Sequence, residues 1–372
     1  MSLHFRALEV EEGDAFLLQD SNWCCLFDSG KSPKDIISLL DNHAIDKIDL
    51  AICSHNDIDH ANGFLGLLKS SKTISEIWLP ALWANLILFV IEHHCEIDFE
   101  VDSAPDPIDF DYLRHYFIED SNNEVLESSI LETLFEYNKE PFETEHFNHY
   151  LKNFSENVFG YYPKHCLDCM FKTYRKYITP KQYDDLIKHL GNIMDIATLA
   201  CKKGSVIRWF EPGNYCSNNE IAYGFVALNS HKIATIKRIK GIVQLLTVLQ
   251  LTVVNKYSLV FEYKKNEIPV VRFSADSDSF CQSVYPYKNN IIITAPHHGA
   301  RSNDRVYQNI KGDDIIWVRS GNTNGKLSDF YKKLNPKFCS FCHYKKISSE
   351  IHFIFDESEQ RWIHMSGKFC NC

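Results

Sequence analysis

The chain has 372 residues, 45% of them hydrophobic and 24% charged, which is an ordinary globular balance and enough to bury a core without disulfide staples. Its net charge of −10 weighs against indiscriminate binding to nucleic acid, which draws on Lys and Arg, but leaves room for a local basic groove. The opening Met1-Ser2-Leu3-His4-Phe5-Arg6 does not read as a signal peptide, and the apolar run Ala81 to Ile91 is too short to span a bilayer. These features predict a cytoplasmic protein with no membrane partner and with its 13 cysteines reduced.

The first eighty residues alternate strand and helix signals. Ala15-Phe16-Leu17-Leu18 and Trp23-Cys24-Cys25-Leu26-Phe27 flank a polar turn and predict a hairpin. Pro33 to Asn42 has helical spacing, with Ser32 as N-cap. Leu50-Ala51-Ile52-Cys53 reads as a strand, Ala61 to Leu68 as a helix, and Ile77 to Pro80 as another strand. From about Ala81 to Lys203 the chain is rich in aromatics, His and Glu and poor in Gly. This reads as a helical insertion, with its clearest helices over Val125–Tyr137 and Gln182–Cys201. Strands return over Val206–Phe210, Leu259–Tyr263, Val270–Ser274 and Ile291–Thr294. The two strand-rich parts predict one αββα sandwich interrupted by the insertion. The expected division is 1–80 and 204–340 for the sandwich, 81–203 for the insertion, and 341–372 for a cysteine-containing tail.

The densest chemistry lies in Ser54-His55-Asn56-Asp57-Ile58-Asp59-His60, directly after the apolar run 48–53. A strand ending in such a cluster points several metal ligands into one small volume. A divalent ion there would acidify water toward neutral pH, which makes a hydrolase the first expectation. His55 and Asp57 could share one ion, and Asp59 and His60 a second.

Four segments resemble the metallo-β-lactamase fold superfamily, and within it the soluble hydrolase domain of the ComEC DNA-uptake proteins. They are Val10-Glu11-Glu12-Gly13-Asp14-Ala15, Phe27-Asp28-Ser29-Gly30, Ser54 to His60 in the form S-H-x-D-x-D-H, and Ser274-Ala275-Asp276 followed by Ala295-Pro296-His297-His298-Gly299. The likeness covers somewhat over half the chain and leaves out the insertion and the tail. It implies that Asp276 bridges two ions and that one of His297 and His298 completes the second site, the other contacting substrate or orienting a ligand. Asp59, His298 and Asp28 are the catalytic residues it implies, with Asp28 and Asp14 fixing ligands or turns. The expected cofactor is one or two divalent ions. Asp57 stands where many members have His, so manganese or magnesium competes with zinc. A further His found in many members has no clear counterpart; His231 lies in the right interval but in a basic segment. Asn322-Thr323-Asn324-Gly325-Lys326 stands where that group usually has Gly-His-Pro.

Cys339, Cys342, Cys370 and Cys372 could build a structural zinc site near the chain end, or remain thiols. Cys166 and Cys169, inside the insertion, read more simply as packing. Lys237 and Arg238 lie in the most basic run, which is either a phosphate-binding strip or a solvated amphipathic face. Arg301, Ser302 and Asn303 follow the His-His-Gly and could reach a substrate phosphate. The expected activity is metal-dependent phosphodiester hydrolysis, with nucleic acid favoured by the resemblance. The alternatives are a small phosphodiester such as a cyclic nucleotide, or a catalytically impaired module that docks a protein partner through the insertion.

Overall fold

The computed structural model describes residues 2–20, 22–93, 140–157, 167, 171, 180–213, 220–252, 257–278, 286–321, 326–342, 347–367, 369 and 370. The chain is mixed α/β and separates into two compact units. One comprises Met1–Pro80, Lys203–Lys232 and Asn255–Cys372; the other comprises Ala81–Lys202 and Ile233–Val254.

The first unit holds two large sheets. The nine-stranded sheet runs in the order Arg361–Ser366, Ile351–Asp356, Leu3–Ala7, Phe16–Asp20, Trp23–Phe27, Lys47–Ile52, Thr73–Pro80, Val206–Pro212, Ser230–Lys232. The six-stranded sheet runs Lys337–Cys339, Ile315–Arg319, Ile291–Thr294, Ile268–Phe273, Phe261–Lys265, Phe225–Ala227. Side chains alternate across a strand, so each sheet offers one apolar face to the other. Phe5, Phe16, Phe27, Leu50, Ile52 and Trp78 from the first sheet share a core with Phe261, Phe273, Ile292, Ile316 and Phe338 from the second. The rings of Phe27 and Phe273 stack across it at 4.6 Å. The opposite face of the six-stranded sheet buries Ile291, Ile293, Ile315 and Trp317 with Tyr307 and Tyr331 from the short helices Asp304–Asn309 and Asp329–Lys333.

Several elements follow their local signals. The helix Pro33–Asn42 begins where Ser32 caps it, the Ser32 hydroxyl accepting from the Asp35 N–H. Phe16–Asp20 and Trp23–Phe27 form the expected antiparallel hairpin. Lys47–Ile52 lies parallel between Trp23–Phe27 and Thr73–Pro80, is mostly buried, and is followed by the helix Ile58–Lys69. In the second unit, Ala81–His93 and Pro180–Lys202 are helices. The expected helix over Val125–Tyr137 lies outside the described residues.

Two boundaries differ from the sequence reading. The described residues of 341–372 form no separate tail: Ile351–Asp356 and Arg361–Ser366 extend the nine-stranded sheet, with Ile351–Asp356 pairing antiparallel with the first strand. Alternate residues of Ile351–Asp356 are buried, which is the strand period. The second unit also takes in Ile233–Val254. That stretch begins within the basic run and carries the helix Ile242–Thr252.

Candidate metal centre

The candidate ligands sit where strands end. Asp28 follows Trp23–Phe27, the 54–60 turn follows Lys47–Ile52, Asp276 follows Ile268–Phe273, and His297 and His298 follow Ile291–Thr294. Trp23–Phe27 and Lys47–Ile52 are parallel neighbours, as are Ile268–Phe273 and Ile291–Thr294. Parallel neighbours deliver their carboxyl ends to the same edge, the usual place for a ligand site. Asp57 is the N-cap residue of the helix Ile58–Lys69 and Asp59 lies in its first turn. The positive end of that helix favours both carboxylates.

The side chains converge on Asp276, which is 2% exposed. Its Oδ1 lies 3.2 Å from His60 Nε2 and 3.9 Å from His298 Nε2. Its Oδ2 lies 3.6 Å from His297 Nε2 and 3.8 Å from His55 Nε2. Asp59 Oδ2 is 3.2 Å from His298 Nε2, and Asp57 Oδ2 is 3.7 Å from His55 Nε2. Asp276 Oδ1 thus faces His60 and His298, with Asp59 beside them, and Oδ2 faces His55 and His297, with Asp57 beside them; the two sets adjoin, since donor atoms of His55 and His60 also lie within 4.8 Å of each other.

Every one of these imidazoles is held by its other nitrogen. His60 Nδ1–H donates to Asp28 Oδ2 at 2.8 Å, and His298 Nδ1–H donates to Asp14 Oδ1 at 3.0 Å. The Ser54 hydroxyl donates to Asp28 Oδ2, so it accepts from His55 Nδ1–H at 2.9 Å. The Ser302 hydroxyl donates to Asn303 and likewise accepts from His297 Nδ1–H at 3.1 Å. These bonds fix each ring and its tautomer, leaving the Nε2 lone pair directed inward.

The inward atoms fit a cation. Nε2 of His55, His60 and His298 and Oδ1 of Asp276 are buried with no hydrogen-bond partner. Each such atom costs about 1–3 kcal/mol unless something replaces water. A divalent ion among them would satisfy them together. Among the described residues, two groups bring their donor atoms within 4.8 Å of one another: His55, His60 and Asp276, and Asp14, His60 and His298. Asp14 touches the outward nitrogen of His298, so we read it as orienting that ring.

Electrostatics reflect the crowding. Burial raises the Asp276 carboxyl, but adjacent His60, His297 and His298 outweigh this and hold it well below the carboxylate range. Burial also raises Asp59, and His60 and His298 again reverse the direction. Burial lowers His60, yet Asp276, Asp28 and Asp59 drive it well above the usual imidazole value. His298 behaves in the same way, burial being outweighed by Asp14, Asp59 and Asp276. Without a metal, protons on these rings neutralise the carboxylates.

Backbone strain gathers at the same place. Asp28, Ala275, His297 and His298 all have positive φ, between 46° and 54°. A non-glycine residue there costs on the order of 1–2 kcal/mol, and such strain clusters at functional sites. Local bonds hold the His-His turn: His297 N–H donates to Ala275 O at 2.9 Å and Ala300 N–H to His297 O at 2.8 Å.

Other sequence candidates fall differently. Asn303 is buried and donates to the Asp276 carbonyl at 2.9 Å, and Ser302 is engaged by His297 and Asn303. Asn303 therefore positions Asp276 from inside the fold, whereas Ser302 holds the His297 ring and is, like Arg301, exposed. Arg238 pairs with Glu92 at 2.8 Å and lies over the Phe142 ring, while Ile236 and Ile239 are buried. This favours the amphipathic reading of the basic run, and it puts Lys237 and Arg238 in the second unit. His231 lies on the edge strand Ser230–Lys232, 3.8 Å from Glu211 Oε2, and joins neither donor group. Cys370 is disulfide-bonded, contrary to the expectation of reduced thiols. Cys166, Cys169, Cys372 and residues 322–325 lie outside the described residues. The sequence reading assigned no role to Ser54, although it sits within the ligand turn and links Asp28 to His55.

No helix among the described residues is long and apolar enough to cross a membrane. No family model matches the chain, and no curated protein matches its sequence.

Proposed function

We propose that this chain is a metal-dependent hydrolase of the metallo-β-lactamase fold, acting on phosphodiesters, with nucleic acid the favoured substrate class. The observation that carries the reading is the set of four imidazoles anchored through Nδ1 and directed through Nε2 at the two oxygens of Asp276. The fold reading is supported by two sheets packed on one core with ligand turns at adjoining strand ends.

Two ions fit better than one, because Asp276 Oδ1 and Oδ2 face different donor groups. The Oδ2 group gains His297 where the expected further His is lacking. Its mixture of imidazole and carboxylate suits zinc or manganese, with magnesium weaker at so many nitrogens. When bound, such ions supply an acidified water and neutralise charge on phosphoryl oxygens. The chain's own residues do the positioning: Asp276 spans the two donor groups, Asp14 and Asp28 hold the rings of His298 and His60, and Ser302 holds His297. Arg301 and Lys326 are exposed and joined through their backbones beside this turn, which provides cationic side chains for an anionic substrate.

The reading is tested by hydrolysis of bis-p-nitrophenyl phosphate and of single- and double-stranded DNA and RNA. Metal-stripped protein is assayed with manganese, zinc or magnesium restored. Metal-dependent cleavage abolished by Asp59→Ala supports it. Absence of cleavage with every substrate and metal overturns it.

A further inference from the structure

The candidate centre meets solvent through only some of its donors. The side chains of Asp57, Asp59 and His297 are 35%, 32% and 32% exposed, whereas those of His55, His60 and His298 are 3% exposed or less. A substrate therefore approaches across Asp57, Asp59 and His297. Exposed cations stand beside two of these three.

Lys31 lies on the Asp59 side. Its carbonyl accepts from Asn62 Nδ2 at 2.7 Å, and Gly30 O accepts from the Gly63 N–H at 3.0 Å. Both bonds fasten the Lys31 backbone to the helix Ile58–Lys69, which carries Asp59. The Lys31 ammonium donates to Glu12, and both side chains stay largely in solvent. That bond first, then the charges of Glu12 and Asp59, raise the ammonium above its ordinary value against a small effect of burial.

Arg301 lies on the His297 side. It follows the His-His-Gly turn, and its neighbour Ser302 holds the His297 ring. Its N–H donates to Lys326 O at 3.0 Å. Both side chains are exposed, and neither makes a hydrogen bond or ion pair among the described residues. Asp329, whose charge Arg301 also acts on, is held first by Lys332. In a chain of net charge −10, cations left without a carboxylate beside a metal centre favour an anion there.

A phosphate seated on metal is already neutralised by the ions. Cations beyond either side gain most from further phosphates. We propose that Lys31 and Arg301 hold the two phosphates flanking the scissile one, so that the centre takes an internal linkage of a nucleic-acid strand; this rests on the centre being hydrolytic. Arg301 offers a planar fork to its phosphate, and Lys31 a compact charge. Glu12 occupies Lys31 in the free protein and yields it to the strand, which tempers affinity.

Binding is read first, without cleavage. Metal-stripped full-length protein is titrated into fluorescent oligothymidylate by anisotropy over a series of salt concentrations. Lys31→Gln and Arg301→Gln should each weaken binding and each reduce the slope of log affinity on log salt by about 0.7. Lys69→Gln, the same charge change at the far end of the Asp59 helix, should leave both unchanged. Glu12→Gln should tighten binding, and by less in the Lys31→Gln background. With manganese restored, Lys31→Gln and Arg301→Gln should raise KM more for a tetranucleotide than for a dinucleotide, whose one phosphate has no neighbours. Wild-type protein that binds no strand overturns the proposal. So does an unchanged slope in either variant, an equal loss in Lys69→Gln, or an equal rise in KM for both substrates. The expected binding pattern without any cleavage overturns the hydrolytic reading alone.

Discussion

His298 donates its Nδ1–H to Asp14 at 3.0 Å across 284 residues of chain. Asp14 belongs to the loop before the second strand, and His298 to the turn after a strand of the other sheet. The bond joins the two sheets at the rim where the candidate ligands gather. Asp14 is fully buried, and its carboxyl is raised by that burial against the pull of His298.

Removing this support is expected to weaken metal binding while sparing the fold. Loss of a group that orients a ligand commonly costs on the order of 10–100-fold in metal affinity. Asp14→Ala should fall in that range by titration calorimetry with Mn²⁺ or Zn²⁺. An unchanged affinity would show that His298 needs no such anchor.

Gly13 marks a tighter constraint. Its φ is +88°, and a Cβ there would stand 1.6 Å from the backbone oxygen of Asp59. The loop carrying Asp14 therefore packs directly on the turn carrying Asp59. Gly13→Ala should destabilise the protein by roughly 2–4 kcal/mol, combining overpacking with an unfavourable φ. Chemical denaturation of metal-stripped protein measures it, and a loss below about 0.5 kcal/mol would contradict the close approach.

The buried charges predict a pH dependence that metal reverses. The folded values of His60 and His298 lie above the ordinary 6.5. Their contribution is therefore complete below 6.5 and is lost as pH rises through the folded values. Asp276 and Asp59 lie below the ordinary 3.8, so their contribution is present above 3.8 and is lost as pH falls through the folded values. Metal-free protein should lose thermal stability as pH rises above neutral. Metal-loaded protein should hold it, because the ion replaces protons on the same nitrogens. Melting curves from pH 6 to 9, with chelator or with manganese, test this. A metal-free Tm that climbs with pH would contradict it.

A third group of histidines offers a control away from the centre. His4 and His352 stack with Nδ1 and Nε2 3.0 Å apart. Burial first, then Arg6 and His4, lower His352 to about 4. A depressed histidine adds stability above its unfolded value near 6.5 that is lost as pH falls toward 4. His352→Gln should flatten the stability profile between those limits without changing metal affinity, as read by melting curves and calorimetry.

The ligand turn was legible because its donors are neighbours in sequence. His55, Asp57, Asp59 and His60 fall within six residues, and the buried strand before them reads as one. The Pro33–Asn42 helix was legible for a similar reason, since Ser32 and Pro33 are local start signals. What escaped depends on distant partners. Ile351–Asp356 looks like an unremarkable polar-apolar alternation until Leu3–Ala7 lies beside it. Asn303 looked like a substrate contact because a polar side chain after a ligand turn reads the same whether it faces solvent or a neighbour. Only the fold shows Asn303 holding Asp276. His297 and His298 could not be told apart in sequence; the structure sets them against different oxygens of Asp276.

The most direct test is anomalous diffraction at the manganese or zinc edge from crystals of metal-loaded protein. The account predicts peaks beside Asp276, one bounded by His60, His298 and Asp59 and one by His55, His297 and Asp57. Loaded crystals with no anomalous peak within bonding distance of any of those imidazole nitrogens would contradict it.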